Sequence, residues 1–175
     1  MAELVEEACL LDLEASLPHA DRYYFGAEFC PWLFPDSAQI EQALTRARQI
    51  QRPLTLLTPV LGEFFFPRFE ETLAVIAPQL TTQDEIVISD WGALAPLRQL
   101  APQATLVLGR VLSGQKRGPR ILDLALSDFE RDYFQQGSLY SREMVALLQE
   151  EEIVRVELDN LLQGIAPLPQ GLTGT

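Results

Sequence analysis

The sequence predicts an α/β protein built on a parallel sheet. Short runs of apolar, often branched residues recur along the chain, and most are separated by stretches whose apolar residues repeat at three and four, the spacing of one helical face. The runs are apolar at consecutive positions, so both faces of the sheet must be covered, as in a parallel sheet flanked by helices. With 175 residues, 47% hydrophobic and 22% charged, one core of ordinary size is expected and disorder is excluded.

Residues 2–16 have helical spacing, with Leu4, Ala8 or Cys9, Leu11 and Leu13 inward, and Arg22-Tyr-Tyr-Phe-Gly26 is the first strand. Pro31 and Pro35 keep the next loop from being helical, and Asp36 with Gln39 forms a capping box for a helix whose stripe is Ile40, Ala43, Leu44, Ala47 and Ile50. Pro53-Leu-Thr-Leu-Leu-Thr58 is the second strand. A Phe-rich turn and a helix through Phe69, Leu73 and Ile76 follow. Glu85-Ile-Val-Ile-Ser-Asp90 is the third strand, residues 91–101 a short helix with Leu94, Leu97 and Leu100, and Thr105-Leu-Val-Leu-Gly109 the fourth strand. An amphipathic helix over 138–151, through Met144, Val145, Leu147 and Leu148, precedes Ile153-Val-Arg-Val-Glu-Leu158, the fifth.

Strand starts are about 20 to 32 positions apart except after the fourth, where nearly 50 intervene, so 112–137 reads as an insert. Residues 164–175, with Pro167, Pro169, Gly171 and Gly174, read as a tail on a single domain over 1–163.

Thirteen Lys+Arg against 25 Asp+Glu give a net charge of −12, which disfavours nucleic-acid binding through a broad basic surface. No apolar run approaches the roughly 20 residues of a membrane span. The acidic start lacks the basic and apolar regions of a signal peptide, and two cysteines, Cys9 and Cys30, make no disulfide scaffold, so a cytoplasmic protein is expected. With His19 as the only histidine, no Gly-x-Ser-x-Gly elbow and no His-Glu-x-x-His helix, conventional peptidase chemistry is disfavoured.

Three stretches in order, Tyr24-Phe-Gly-Ala-Glu-Phe-Cys30, Ile88-Ser-Asp-Trp-Gly-Ala-Leu94, and Gly137-Ser-Leu-Tyr-Ser with Val154-Arg-Val-Glu-Leu158, resemble peptidase family U-32, the collagenase-like proteins. Its relatives include oxygen-independent ubiquinone hydroxylation and RNA hydroxylation proteins. The resemblance spans roughly residues 20–160 and implies a TIM-type (β/α) barrel with its working groups at the C-terminal strand ends. Family members carry a further strand before the one at Tyr23, and a full barrel needs about 250 residues, so an open part-barrel of about five strands is expected. Where the family has a Ser/Thr-Gln and Asn-rich stretch after the fourth visible strand, this chain reads Leu108-Gly-Arg-Val-Leu-Ser-Gly-Gln-Lys-Arg-Gly118. The iron–sulfur members use a cysteine at the position of Cys30 as one cluster ligand. The resemblance thus implies a [4Fe–4S] cluster in a longer native form and none on this chain alone, since such a cluster takes four thiolates.

The strand ends carry Glu28, Cys30, Thr58, Ser89, Asp90, Arg110, Glu157 and Asp159. Cys30 is either a cluster thiolate or a free cysteine, and Asp90 either caps the helix that begins at Trp91 or acts as a catalytic or ligand-binding carboxylate. Glu157 and Asp159 share a face by strand alternation, as an acid/base or divalent-metal pair or as exposed carboxylates of an edge strand. Arg110 with Lys116, Arg117 and Arg120 would hold a small anion beside Gly114 and Gly118, or form a loop paired with the acidic remainder. Phe64, Phe65 and Phe66 make a binding surface or plug the core. The expected function is a U-32-like domain of the oxygen-independent hydroxylation type, incomplete in this chain, with a ligand-binding or assembly module as the alternative and peptide hydrolysis third. An open sheet exposing interior side chains such as Ile88 and Val107 favours a homo-oligomer or a partner subunit that completes the barrel.

Overall fold

The computed structural model describes Glu7–Cys9 and residues 19–175. Two compact units, Met1–Thr105 and Leu106–Thr175, divide the chain. It is an α/β protein in which parallel strands alternate with helices, and among the described residues the strands of each unit form an open row.

In the first unit β1 (Glu7–Cys9), β2 (Arg22–Gly26), β3 (Leu54–Leu57) and β4 (Glu85–Ile88) lie side by side in chain order, as in a barrel wall. Ala8 sits opposite Tyr23, Tyr24 opposite Thr55, and Leu56 opposite Ile86. Three helices alternate with them: α1 (Ser37–Gln49), α2 (Phe66–Ile76) and α3 (Leu94–Leu100). The expected capping box starts α1, with the Asp36 carboxylate accepting from Gln39 N at 2.9 Å and the Gln39 amide oxygen accepting from Asp36 N at 3.0 Å. Ile40, Ala43, Leu44 and Ala47 are buried along its inner stripe, whereas Ile50, expected inward, lies past the helix end and is exposed. Phe69, Leu73 and Ile76 make the buried face of α2, which packs between α1 and α3.

Strand β1 corrects the helix expected over 2–16 at residues 7–9 and supplies a strand ahead of the one at Tyr23; the rest of that segment lies outside the described residues. Backbone pairing along β2 outweighs a weak local helical spacing. Between β2 and β3 the chains approach closely at Gly26, whose φ is +128° and where a Cβ would lie 2.3 Å from the Leu57 carbonyl oxygen.

One carboxylate ties the lower ends of these elements together. Asp84, fully buried, accepts from Leu54 N at 3.1 Å, from Thr81 N at 2.8 Å and Thr81 Oγ1 at 2.9 Å, and from both terminal nitrogens of Arg48 on α1. Beside it Thr55 Oγ1 accepts from Arg22 and donates to Glu85, linking three strands.

The second unit takes up the chain within β5 (Thr105–Leu108) from Leu106 and holds β6 (Arg155–Val156) and β7 (Thr173–Gly174), with Val107 opposite Arg155 and Val156 opposite Gly174. The expected insert contains α4 (Asp128–Gln135), started by a Ser127–Glu130 capping box, and α5 (Arg142–Glu150) is capped by Ser141, whose hydroxyl accepts from Met144 N at 3.2 Å. Residues 138–140, expected inside that helix, form a separate 3-10 turn. The Pro/Gly-rich tail is held by a 2.6 Å bond from the Tyr140 hydroxyl to Ala166 O and by Thr173 N and Thr175 N donating to Val154 O and Val156 O.

Ile88 and Val107, expected to face an open interior, are both fully buried.

Candidate functional site

The C-terminal strand ends of the first unit are shaped by Asp90. Its Oδ1 accepts from Gly92 N at 2.7 Å, capping the 3-10 turn that leads into α3, and its Oδ2 accepts from Leu61 N at 3.0 Å. Both oxygens thus hold backbone, and the capping role read from the sequence extends to the loop after β3. Thr58 pins the same loop by donating its hydroxyl to Val87 O at 2.8 Å, and next to it the Ser89 hydroxyl is buried without a hydrogen-bond partner.

Cys30 lies four residues beyond β2, half-buried, as a free thiol, with half-buried Glu28 in the same loop. No group of three or more His, Cys, Asp or Glu side chains that could hold a metal ion occurs among the described residues. Loop 27–35 and loop 58–65 meet through aromatic rings: Trp32 stacks on Phe64 with centroids 5.7 Å apart and meets Phe65 edge-on at 5.9 Å. The Phe triplet therefore divides. Phe65 plugs the core, Phe66 is half-buried, and Phe64 faces solvent.

In the second unit two of the four residues read as an anion loop, Arg110 and Arg117, converge on a carboxylate. Arg117 donates to Asp159 Oδ1 at 3.0 Å and Arg110 lies 3.6 Å from the same oxygen, while Asp159 N donates to the Gln115 side-chain oxygen at 2.8 Å. Arg110 and Arg117 are thus paired with an acid. Gly114, with φ +68°, does not open the backbone to an anion, because Ser138 fills the place of its missing Cβ. Arg120 stands exposed on a 3-10 turn, and Lys116 lines a cavity of about 290 Å³ with Tyr133, Phe134 and Ser138. Asp159 meets Arg110 and Arg117, and Glu157 lies 4.0 Å from Arg155.

Sequence reasoning missed Trp32 and Leu33. The available signal was the apolar run Phe29-Cys-Pro-Trp-Leu-Phe34; the loop expected to be non-helical contains a 3-10 turn at Pro31–Leu33, which proline at its first position permits, and Trp32 and Leu33 of that turn are exposed.

Fold and strand-end geometry together define a parallel α/β domain with its loops tied down at the C-terminal ends of the strands. Comparison with protein-family models, with curated proteins and with solved structures finds no match to this chain.

Because Asp159 already neutralises Arg110 and Arg117, sulfate at matched ionic strength is expected to leave the melting temperature of the unmutated protein unchanged. Asp159→Ala should free the two arginines and produce a sulfate-dependent rise of about 3–6 °C at a concentration tenfold above the dissociation constant. Adding Arg117→Ala should abolish it. A sulfate effect already present in the unmutated protein would show that the arginines are available despite Asp159.

Proposed function

We propose that this chain is a ligand-binding or assembly module on a peptidase U-32-like α/β part-barrel. The observation that carries this reading is the employment of the strand-end polar groups. Asp90 has both oxygens on backbone N–H groups, and Asp159 is shared by Arg110 and Arg117, so the side chains that would do chemistry hold loops in place. Phe29, Trp32 and Phe64, in the loops after β2 and β3, are exposed.

The oxygen-independent hydroxylation reading rests on Cys30, a free thiol beyond β2 at the position where the resemblance puts a cluster ligand. The residues present do not fit a [4Fe–4S] cluster by themselves, since two cysteines fall short of four thiolates. In that reading the remaining thiolates come from outside these residues.

Anaerobic reconstitution with iron and sulfide separates the two. The module reading expects a colourless desalted protein with no absorbance near 400 nm and no bound iron. Roughly four irons per chain or per dimer, lost on Cys30→Ala, would establish the cysteine as a ligand and replace the module by the iron–sulfur reading.

A further inference from the structure

Four large apolar side chains stand out from the two loops that follow β2 and β3: Phe29 is 60% exposed, Trp32 69%, Leu33 74% and Phe64 67%. Single exposed apolar residues are ordinary, but Trp32 and Phe64 stack across the two loops, with Phe29 and Leu33 exposed in the same loop as Trp32, and such a group marks a contact surface. The Trp32–Phe64 stack joins the loops, and buried Phe65, edge-on to both rings, supports it from below. The surface is therefore preorganised, which lowers the ordering cost of binding.

Its charge is one-sided. The two loops carry Glu28 and Glu63 and no base; Asp36 follows the first loop, and the start of α2 adds Glu70 and Glu71 against one base, Arg68. That base is already engaged, with its guanidinium 5.1 Å over the Phe65 ring and an N–H donated to Phe34 O at 3.1 Å. Arg68 shows that one ring of this cluster, Phe65, already takes a guanidinium over its face, a contact that cation–π attraction favours. A second copy of the chain would bring the same acids against each other, which works against self-docking through this face.

We propose that this surface docks a basic segment of a partner protein, with an arginine guanidinium laid over the Trp32–Phe64 pair and an apolar side chain beside Leu33. The proposal deepens the assembly reading by naming the chemistry of the partner. Glu28 and Glu63, in the same two loops as the rings, steer the segment in, and the exposed rings supply the apolar area that holds it.

The test is fluorescence anisotropy of a short labelled peptide alternating Arg and Leu, titrated with the whole chain near physiological ionic strength, where non-specific charge attraction is largely screened. Saturable binding is expected, weakened roughly tenfold by Trp32→Ala and by Glu63→Lys, weaker with Lys in place of Arg, and absent with Glu in place of Arg. Both positions are exposed, so the variants should keep the circular dichroism of the parent. No binding by the unmutated chain, or binding indifferent to Trp32→Ala, would overturn the proposal. So would a concentration-dependent dimer that Trp32→Ala dissolves, because the face would then belong to a second copy. A cluster assembled on Cys30 with peptide binding intact would remove the module reading and leave the surface standing; a colourless protein that ignores the peptide would remove the surface alone.

Discussion

Asp84→Ala is expected to cost about 3–5 kcal/mol, the range for breaking a buried ion pair by deleting one partner. The loss has several parts. Leu54 N loses its buried acceptor at the start of β3, the Thr81 backbone and hydroxyl lose theirs in the turn before β4, and Arg48 loses the carboxylate that draws α1 onto the sheet. Arg48 is 37% exposed and can turn to water, which places the expected cost toward the lower end of the range. Asp84→Asn keeps the shape and one acceptor and should cost less. Both tryptophans, Trp32 and Trp91, lie in the first unit, so urea unfolding followed by their fluorescence reports on this unit directly. An unchanged midpoint in Asp84→Ala would show that the network contributes nothing net.

The same carboxylate sets an acid dependence. Burial pushes the Asp84 carboxyl up, but the Arg48 guanidinium and the N–H and O–H donors of Thr81 and Leu54 outweigh it and hold the group below its ordinary value. Because the folded value lies below the unfolded one, near 3.9, its contribution is complete above that pH and is lost as pH falls through the folded value. The unmutated protein should therefore lose stability on acidification more steeply than Asp84→Asn, as read from urea midpoints across pH.

Gly26→Ala should cost about 2–4 kcal/mol, combining backbone strain with overpacking. A side chain at φ +128° is strained in any surroundings, and here its Cβ would also meet the Leu57 carbonyl oxygen at 2.3 Å. That oxygen accepts from Ala27 N, so yielding to the new methyl would disturb the β2–β3 pairing from which the Cys30 loop departs. Gly118→Ala is the matched control. Its backbone is extended and nothing lies within 4 Å of the added carbon, so it should change stability by no more than about 0.5 kcal/mol. Equal midpoints for the two variants would refute the close-approach argument.

Local signals that are strong in themselves were legible. The Asp36–Gln39 capping box and the stripe from Ile40 to Ala47 define α1 through contacts three and four residues apart, and the structure has both. All five runs of consecutive apolar residues became strands, because a run with no polar face has few places to go except between helix layers. Strands β1 and β7, two or three residues each, were not legible: their pairing comes from neighbours distant in sequence, and β7 carries a threonine and a glycine with no apolar run.

Candidate site residues divide the same way. Capping by Asp90 could be read from its place before Trp91, but its bond to Leu61 N, 29 positions away, could not. The basic run around Arg117 was visible as a charge pattern, while its capture by Asp159 depends on β6 delivering that carboxylate beside the loop after β5. The sequence by itself determined the α/β class, the order of the central elements and which residues stand at the strand ends, since these follow from periodicity and short-range capping. Tertiary structure alone decided which of those residues are spent on holding loops and which of the aromatics face solvent. Those outcomes turn on pairings between segments about 30 to 40 positions apart, whose partners the local pattern does not name.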